Sequence, residues 1–114
     1  MTIGHIRDVL EADVLTGNDI LDVEIHSACG SDLMSDVLAF VKDQGMLLTG
    51  LVNPQVIRTA EMMDMRCVVF VRGKRPGPEM IELAASSGIA LISTGLRMFE
   101  ACGLLYREGI GGAR

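Results

Sequence analysis

At 114 residues, 49% of them hydrophobic, the chain has room for one core and not for two. Its net charge of −5 argues against a nucleic-acid binder, which needs a basic surface to neutralise phosphates. The Phe, Tyr and Trp residues number only four, Phe40, Phe70, Phe99 and Tyr106, too few for a platform on which single-stranded bases stack.

Ile3, Ile6, Val9 and Leu10 recur at helical spacing after Thr2, an N-cap residue type. The stretch "ADVLTG" reads as a brief strand that ends at Gly17. In "DILDVEIHSACG", Leu21, Val23 and Ile25 alternate with Asp22, Glu24 and His26, the pattern of a strand buried on one face. Gly30 and Ser31 end it. Ser31 and Asp32 are then suited to cap a helix through Leu33, Val37, Leu38 and Val41, closed by Gly45. "MLLT" is a short buried strand, and Asn53 with Pro54 opens a helix through Val56, Ile57, Ala60 and Met63. "CVVFV" is apolar throughout and rich in β-branched residues, as strands covered on both faces are. Pro78 starts a helix through Met80, Ile81, Leu83 and Ala84 that stops near Gly88. "IALIS" is the last strand and residues 98–106 the last helix, leaving 108–114 as a Gly-rich, flexible tail.

The second half thus alternates strand and helix with short loops, which implies a parallel sheet joined by crossover helices. The expected fold is α/β: a single domain over 1–114, with a mostly parallel central sheet and helices on both faces.

In such a sheet, ligands sit beyond the carboxyl ends of the strands, where loops meet helix starts. Four loops qualify, at 29–32, 49–53, 72–76 and 93–95. The third holds Arg72, Lys74 and Arg75, three of the chain's ten basic residues within four positions. Gly50 and Gly73 would allow close backbone approach, Ser31, Thr49 and Thr94 would donate hydrogen bonds, and Arg72, Lys74 and Arg75 would supply charge to a small anion. No Walker-type or dinucleotide fingerprint is present, so a solvated turn stands beside the anion cradle as the alternative. Charge is divided along the chain, with net −7 over residues 1–57 and net +2 over 58–114. Such asymmetry could orient a partner, although a solvated surface is the simpler reading.

Other residues carry weaker chemistry. Asp32 and Asp36 lie four apart, so they would share a helix face and Asp32 would serve the positive helix end. His5 and His26 have no metal-ligand spacing around them, and no metal is expected. Cys29 stands before a helix start, where a thiolate would be stabilised, yet free cysteines commonly pack as small hydrophobes. Cys29, Cys67 and Cys102 are odd in number, far apart and without a C-x-x-C pair, which points to the reducing cytoplasm. They also fall short of the four thiolates of an iron–sulfur cluster, and no cofactor is expected. "MTIGHIRDVLEADV" is charged and interrupted, unlike a signal peptide, and no apolar run approaches the ~20 residues of a membrane span. The eight methionines read first as core filling and second as an adaptable partner surface.

Three stretches, "LEADVLTG", "ACGSDLMSDVLAF" and the run from "LLTGLVNPQ" to "GLLY", resemble the DRTGG domain along almost the whole chain. The likeness is strongest to the small stand-alone form encoded beside iron-only hydrogenases, in which an S-D-L-x-S-D-V stretch recurs, here residues 31–37. The resemblance implies a fold like the N-terminal domain of HPr kinase/phosphorylase and a homodimer. The domain is elsewhere fused to CBS modules or phosphotransacetylase, which implies regulation or ligand sensing rather than catalysis. Where the family has Gly-Asp-Arg, this chain has Gly50-Leu51-Val52; where it has Thr-Gly-Gly, the chain has Val71-Arg72-Gly73, so only Gly50 and Gly73 match.

The expected function is therefore a non-enzymatic sensor of a small anionic ligand such as an adenine nucleotide, linked to hydrogenase or redox metabolism. One alternative is an interaction module that docks on a hydrogenase subunit or maturation factor. Another is a small hydrolase or transferase using Cys29 or Asp32, which would need a perturbed pKa beside an open pocket.

Overall fold

The computed structural model of the chain describes residues 1–40 and 45–112. It opens with α1, Ile3–Leu10. The Thr2 hydroxyl accepts from the His5 amide at 3.1 Å, supplying one of the bonds that the first turn of a helix lacks. Strand β1, Asp13–Thr16, leads into a single 3₁₀ turn at Asn18–Ile20.

The alternating stretch that follows does not join the sheet at 21–25. It runs beside the start of α1 instead: the Ile3 and Gly4 amides donate to the Val23 and Leu21 carbonyls at 3.0 and 2.8 Å, and Ile25 donates to the Met1 carbonyl at 2.8 Å. A lone bridge pairs Thr2 with Glu24. Alternation reports that one face of an extended chain is buried, and here that face covers the α1 end of the core. Strand β2 begins only at Ser27 and runs Ser27–Gly30.

Helix α2 covers Met34–Phe40, and the expected continuation through Val41 lies outside the described residues. Gly45 does not close that helix; it opens β3, Gly45–Thr49. The next elements stand where the sequence put them. Helix α3, Pro54–Met62, is capped by Asn53, whose Oδ1 accepts from the Gln55 amide at 2.9 Å. Strand β4 is Cys67–Phe70, α4 is Pro78–Ser86, β5 is Ala90–Ser93 and α5 is Met98–Arg107.

The six-stranded sheet has the order β1-β5-β4-β3-β2-β6, in which β6 is the pair Gly111–Gly112. Only β1 runs antiparallel, along β5 at one edge. At the other edge Gly111 and Gly112 pair with Ser27 and Ala28 in parallel. Of the stretch expected as a tail, Ile110 is therefore core, only 6% exposed, and 111–112 is strand; residues 113–114 lie outside the described residues. An isolated isoleucine among glycines gave little sign of this, because a single apolar residue has no periodicity to read.

The side-chain alternation sorts the core into two layers. Met46, Leu48, Cys67, Val69 and Ile92 face α1 and α5, whereas Leu47, Val68, Phe70 and Leu91 face α2, α3 and α4. The sheet is thus covered on both faces, which is why β3, β4 and β5 read as continuous apolar runs.

Candidate functional site

Because β2, β3, β4 and β5 are parallel, their carboxyl ends gather the loops at 30–32, 49–51, 71–73 and 94–97 on one rim. Main-chain bonds stitch neighbouring loops together. Ser31 donates to the Leu48 carbonyl at 3.0 Å, Val71 to Thr49 at 3.0 Å, Thr94 to Phe70 at 2.9 Å, Arg72 to Leu96 at 2.7 Å and Gly73 to Thr94 at 2.9 Å. The helices that follow β2, β3 and β4 all pack on one face, and α5, after β5, packs on the other. Where the chain changes face, a crevice opens at the rim of an α/β sheet. Here it is an open cleft of about 810 Å3 lined by residues that include Ser31, Asp32, Arg72, Arg97 and Phe99. Gly30 sets its floor. A Cβ there would lie 2.9 Å from Cys102 Sγ and 3.1 Å from Met98 Sδ, so these two sulfur-bearing side chains of α5 pack directly on Gly30.

The expected site residues divide. Ser31 and Arg72 line the cleft. Asp32 lines it as well, in a role other than the helix cap expected of it. It lies ahead of α2, and its Oδ1 accepts from the Gly50 amide at 2.7 Å and the Thr49 hydroxyl at 3.0 Å. The Gly50 amide holds the Asp32 carboxyl below its ordinary range, against a weaker opposing push from burial and with help from the Thr49 hydroxyl and the Arg72 charge. Since α2 starts at Met34, Asp32 and Asp36 do not share a helix. The Ser31 hydroxyl accepts from the Leu33 amide at 3.0 Å and so caps the turn into α2.

Thr49 and Thr94 are buried, and their hydroxyls are taken within the chain. Thr49 donates to Asp32 and accepts from the Leu51 amide at 3.1 Å. Thr94 donates to the Leu10 carbonyl at 2.8 Å and accepts from the Leu96 amide at 3.2 Å. They brace the rim rather than face the cleft. The basic cluster splits in the same way. Arg75 pairs with Asp13 on β1, and Lys74 is exposed outside the cleft, with its carbonyl accepting from the Ser93 hydroxyl at 2.8 Å. Arg72 alone turns inward. Its backbone is left-handed at φ 60°, followed by Gly73 at φ 69°. The Arg72 guanidinium lies over Gly50, where a Cβ would come within 3.1 Å of Cζ and 3.2 Å of Nε.

Arg97, Met98 and Phe99 were missed by reading the fourth loop as ending at Gly95. Arg97 is the residue before α5 and makes no side-chain capping bond there. A strand-end loop followed by a helix carries its first residues into the crevice, so extending the loop to the helix start would have found it. The cysteines offer no activated thiolate. Burial pushes the Cys29 and Cys102 thiols up and the Cys67 thiol to about 12. Among the described residues no three His, Cys, Asp or Glu side chains gather to hold a metal, and no helix is long and apolar enough to cross a membrane.

No family model and no curated protein matches the chain. Among solved structures, the CBS and DRTGG domains of the regulatory region of Clostridium perfringens pyrophosphatase, complexed with the activator diadenosine tetraphosphate, superpose with a TM-score of 0.78. The match covers 91% of this chain at 20% identity, and 45% of the neighbour's length. The fold is DRTGG-like. On this DRTGG-like frame, the two segments set against the family signature by sequence, 50–52 and 71–73, are neighbours in space, joined where Arg72 covers Gly50.

Proposed function

We propose that the chain is a non-catalytic regulatory domain that senses a small anionic ligand, an adenine nucleotide by class, in the cleft at the carboxyl ends of β2, β4 and β5. The observation that carries this reading is the pair of guanidinium-bearing residues, Arg72 and Arg97, on one cleft beside the start of a ten-residue helix. Two planar cations and a positive helix end favour phosphate oxygens. A left-handed backbone at a non-glycine residue costs about 1–2 kcal/mol, and Arg72 sits there with its side chain directed to the cleft. Met98 and Phe99 add an apolar wall, and the cleft exceeds what inorganic phosphate would fill, which suits a nucleoside attached to the phosphates. Asp32 lies near enough to Arg72 for its carboxyl to feel that charge, and by accepting from the Gly50 amide and the Thr49 hydroxyl it orders the rim on which Arg72 lies.

Two features support a sensor over a catalyst. The half-buried thiols are raised, and the Asp32 carboxyl is lowered and already committed to two donors. Neither type of group is poised as a nucleophile or general base at neutral pH. The neighbour's regulatory region, complexed with an activating dinucleotide, supports the same class of ligand. The three free thiols support a cytoplasmic setting, and the stretch 31–37 supports a link to hydrogenase or redox metabolism through a hydrogenase-related partner.

The test is a thermal-shift panel of AMP, ADP, ATP, diadenosine tetraphosphate and inorganic phosphate on the parent chain and on the Arg72→Gln, Arg97→Gln double variant. A nucleotide at one hundred times its dissociation constant stabilises the fold by about 2.7 kcal/mol, and the double variant loses that shift. A flat panel, or a shift that survives in the double variant, would sink the proposal. The docking alternative draws on Leu33 and Met62, which are 58% and 69% exposed. It predicts a flat panel together with capture of a hydrogenase subunit that Leu33→Asp or Met62→Asp abolishes.

A further inference from the structure

A groove of about 220 Å3 lies beside the ligand cleft, between α5 and the β2–β6 edge. Cys102, Leu105 and Tyr106 of α5 form one wall, and Ala28 and Gly30 of β2 face them. Those two residues stand two apart on a strand, so both turn to the α5 side of the sheet, and a methyl group and a hydrogen leave that wall flat. Among the described residues no charged side chain lines the groove, and Tyr106 supplies its one ring. Leu105 and Ile110, 1% and 6% exposed, close its inner end. A slot of this shape takes a flat, uncharged body and disfavours a phosphate, whose charge would go unpaired there.

The groove and the cleft are neighbours. Gly30 lines both. Met98 lines the cleft and Cys102 the groove, four positions apart on the same side of α5, with their sulfurs 3.7 Å apart. The boundary is this sulfur pair seated on Gly30, and both side chains are partly exposed. Soft, polarisable sulfur is a favourable surface for a sugar or ring edge to lie against.

We infer that the groove is a nucleobase subsite, so that one ligand spans the sulfur pair with its phosphates on Arg72 and Arg97 and its base between Tyr106 and β2. The inference rests on the nucleotide reading of the cleft and adds the place where the base is held. The division of charge matches such a ligand: both cations stand on the cleft side and none lines the groove.

The test is calorimetric titration of the full chain with AMP and with ribose 5-phosphate, which carries the same sugar and phosphate without the base. The parent is expected to bind AMP about tenfold or more tighter than ribose 5-phosphate. Ala28→Leu extends a side chain into the groove and is expected to bind the two ligands within a few-fold of each other, at the parent's affinity for ribose 5-phosphate. The Arg72→Gln, Arg97→Gln double variant is expected to lose both. A second measurement needs no variant. Alkylation of Cys102 by iodoacetamide, followed by peptide mass spectrometry, is expected to slow several-fold with saturating AMP and not with ribose 5-phosphate. Cys29 packs in the other core layer and serves as the unprotected control. Equal binding of the two ligands by the parent overturns the inference. So does a preference for AMP that survives in folded Ala28→Leu, or a Cys102 that AMP leaves unprotected. In those cases binding that still depends on the two arginines leaves the cleft reading standing. If neither ligand binds the parent, the cleft reading fails and the base subsite fails with it.

Discussion

Removing the Asp32 carboxylate should loosen the rim that the cleft is built on. In Asp32→Ala the Gly50 amide and the Thr49 hydroxyl both lose their acceptor, at 2.7 and 3.0 Å in the parent. Hydrogen bonds to a charged group contribute about 1.5–3 kcal/mol each, but the Asp32 side chain is exposed, so about 1 kcal/mol each is a fitting discount. Thr49 is completely buried, and its hydroxyl left without an acceptor adds up to about 1 kcal/mol. The expected loss is about 2–3 kcal/mol, or about 8–12 °C in Tm for a domain of this size. Asp32→Asn keeps one oxygen acceptor and should lose only about 1 kcal/mol. The sign of the pH dependence follows from the lowered pKa. A carboxyl of this type ordinarily titrates near 3.8 and the folded chain holds it lower. Its contribution is therefore present in full above that value and fades as pH falls through the folded value. Urea unfolding of parent and Asp32→Ala at neutral pH and in acid tests this. The gap should be widest at neutral pH and close in strong acid. A gap below about 0.5 kcal/mol at neutral pH, or one that does not change with pH, would refute the reasoning.

Three further outcomes follow from the same geometry. Arg72→Gly removes a left-handed non-glycine residue and should raise stability by about 0.5–1 kcal/mol while abolishing nucleotide binding; calorimetry and titration of one sample separate the two effects. Gly50→Ala should push the flexible Arg72 side chain off the rim, lowering nucleotide affinity about as much as Arg72→Gln while changing Tm by no more than about 2 °C. Ile110→Ala should destabilise the fold by about 2–3 kcal/mol in urea, because the residue is buried between α5 and β6; an unchanged midpoint would return 108–112 to the status of a tail.

The parts of the fold that were legible in the sequence are those where local pattern and partner coincide. "CVVFV" could be apolar on both sides only if both sides were covered, and its residues do divide between the two core layers. Asn53-Pro54 and Pro78 open helices because proline sets the backbone angle without needing a donor. The failures share a different cause. Leu21, Val23 and Ile25 do alternate, but alternation does not name the neighbour, and the neighbour is the N-terminal segment rather than a sheet strand. Gly45 suits a helix end as well as a strand start. At the site, the strand-end rule located the rim and the glycines, and burial then decided which polar groups were left over. Thr49 and Thr94 are absorbed by the chain's own acceptors, Arg75 by an aspartate 62 positions away, and Arg72 is turned inward by its left-handed backbone. None of these long-range pairings has a local signature.

The most direct test of the sensing cleft is an amide NMR titration of the uniformly labelled chain with ATP and with diadenosine tetraphosphate. The account predicts saturable shifts concentrated at Gly30, Ser31, Arg72, Gly95, Arg97 and Phe99, weakening as salt screens the arginines. Saturable shifts centred away from these residues, or no shifts at all with a folded chain, would contradict it.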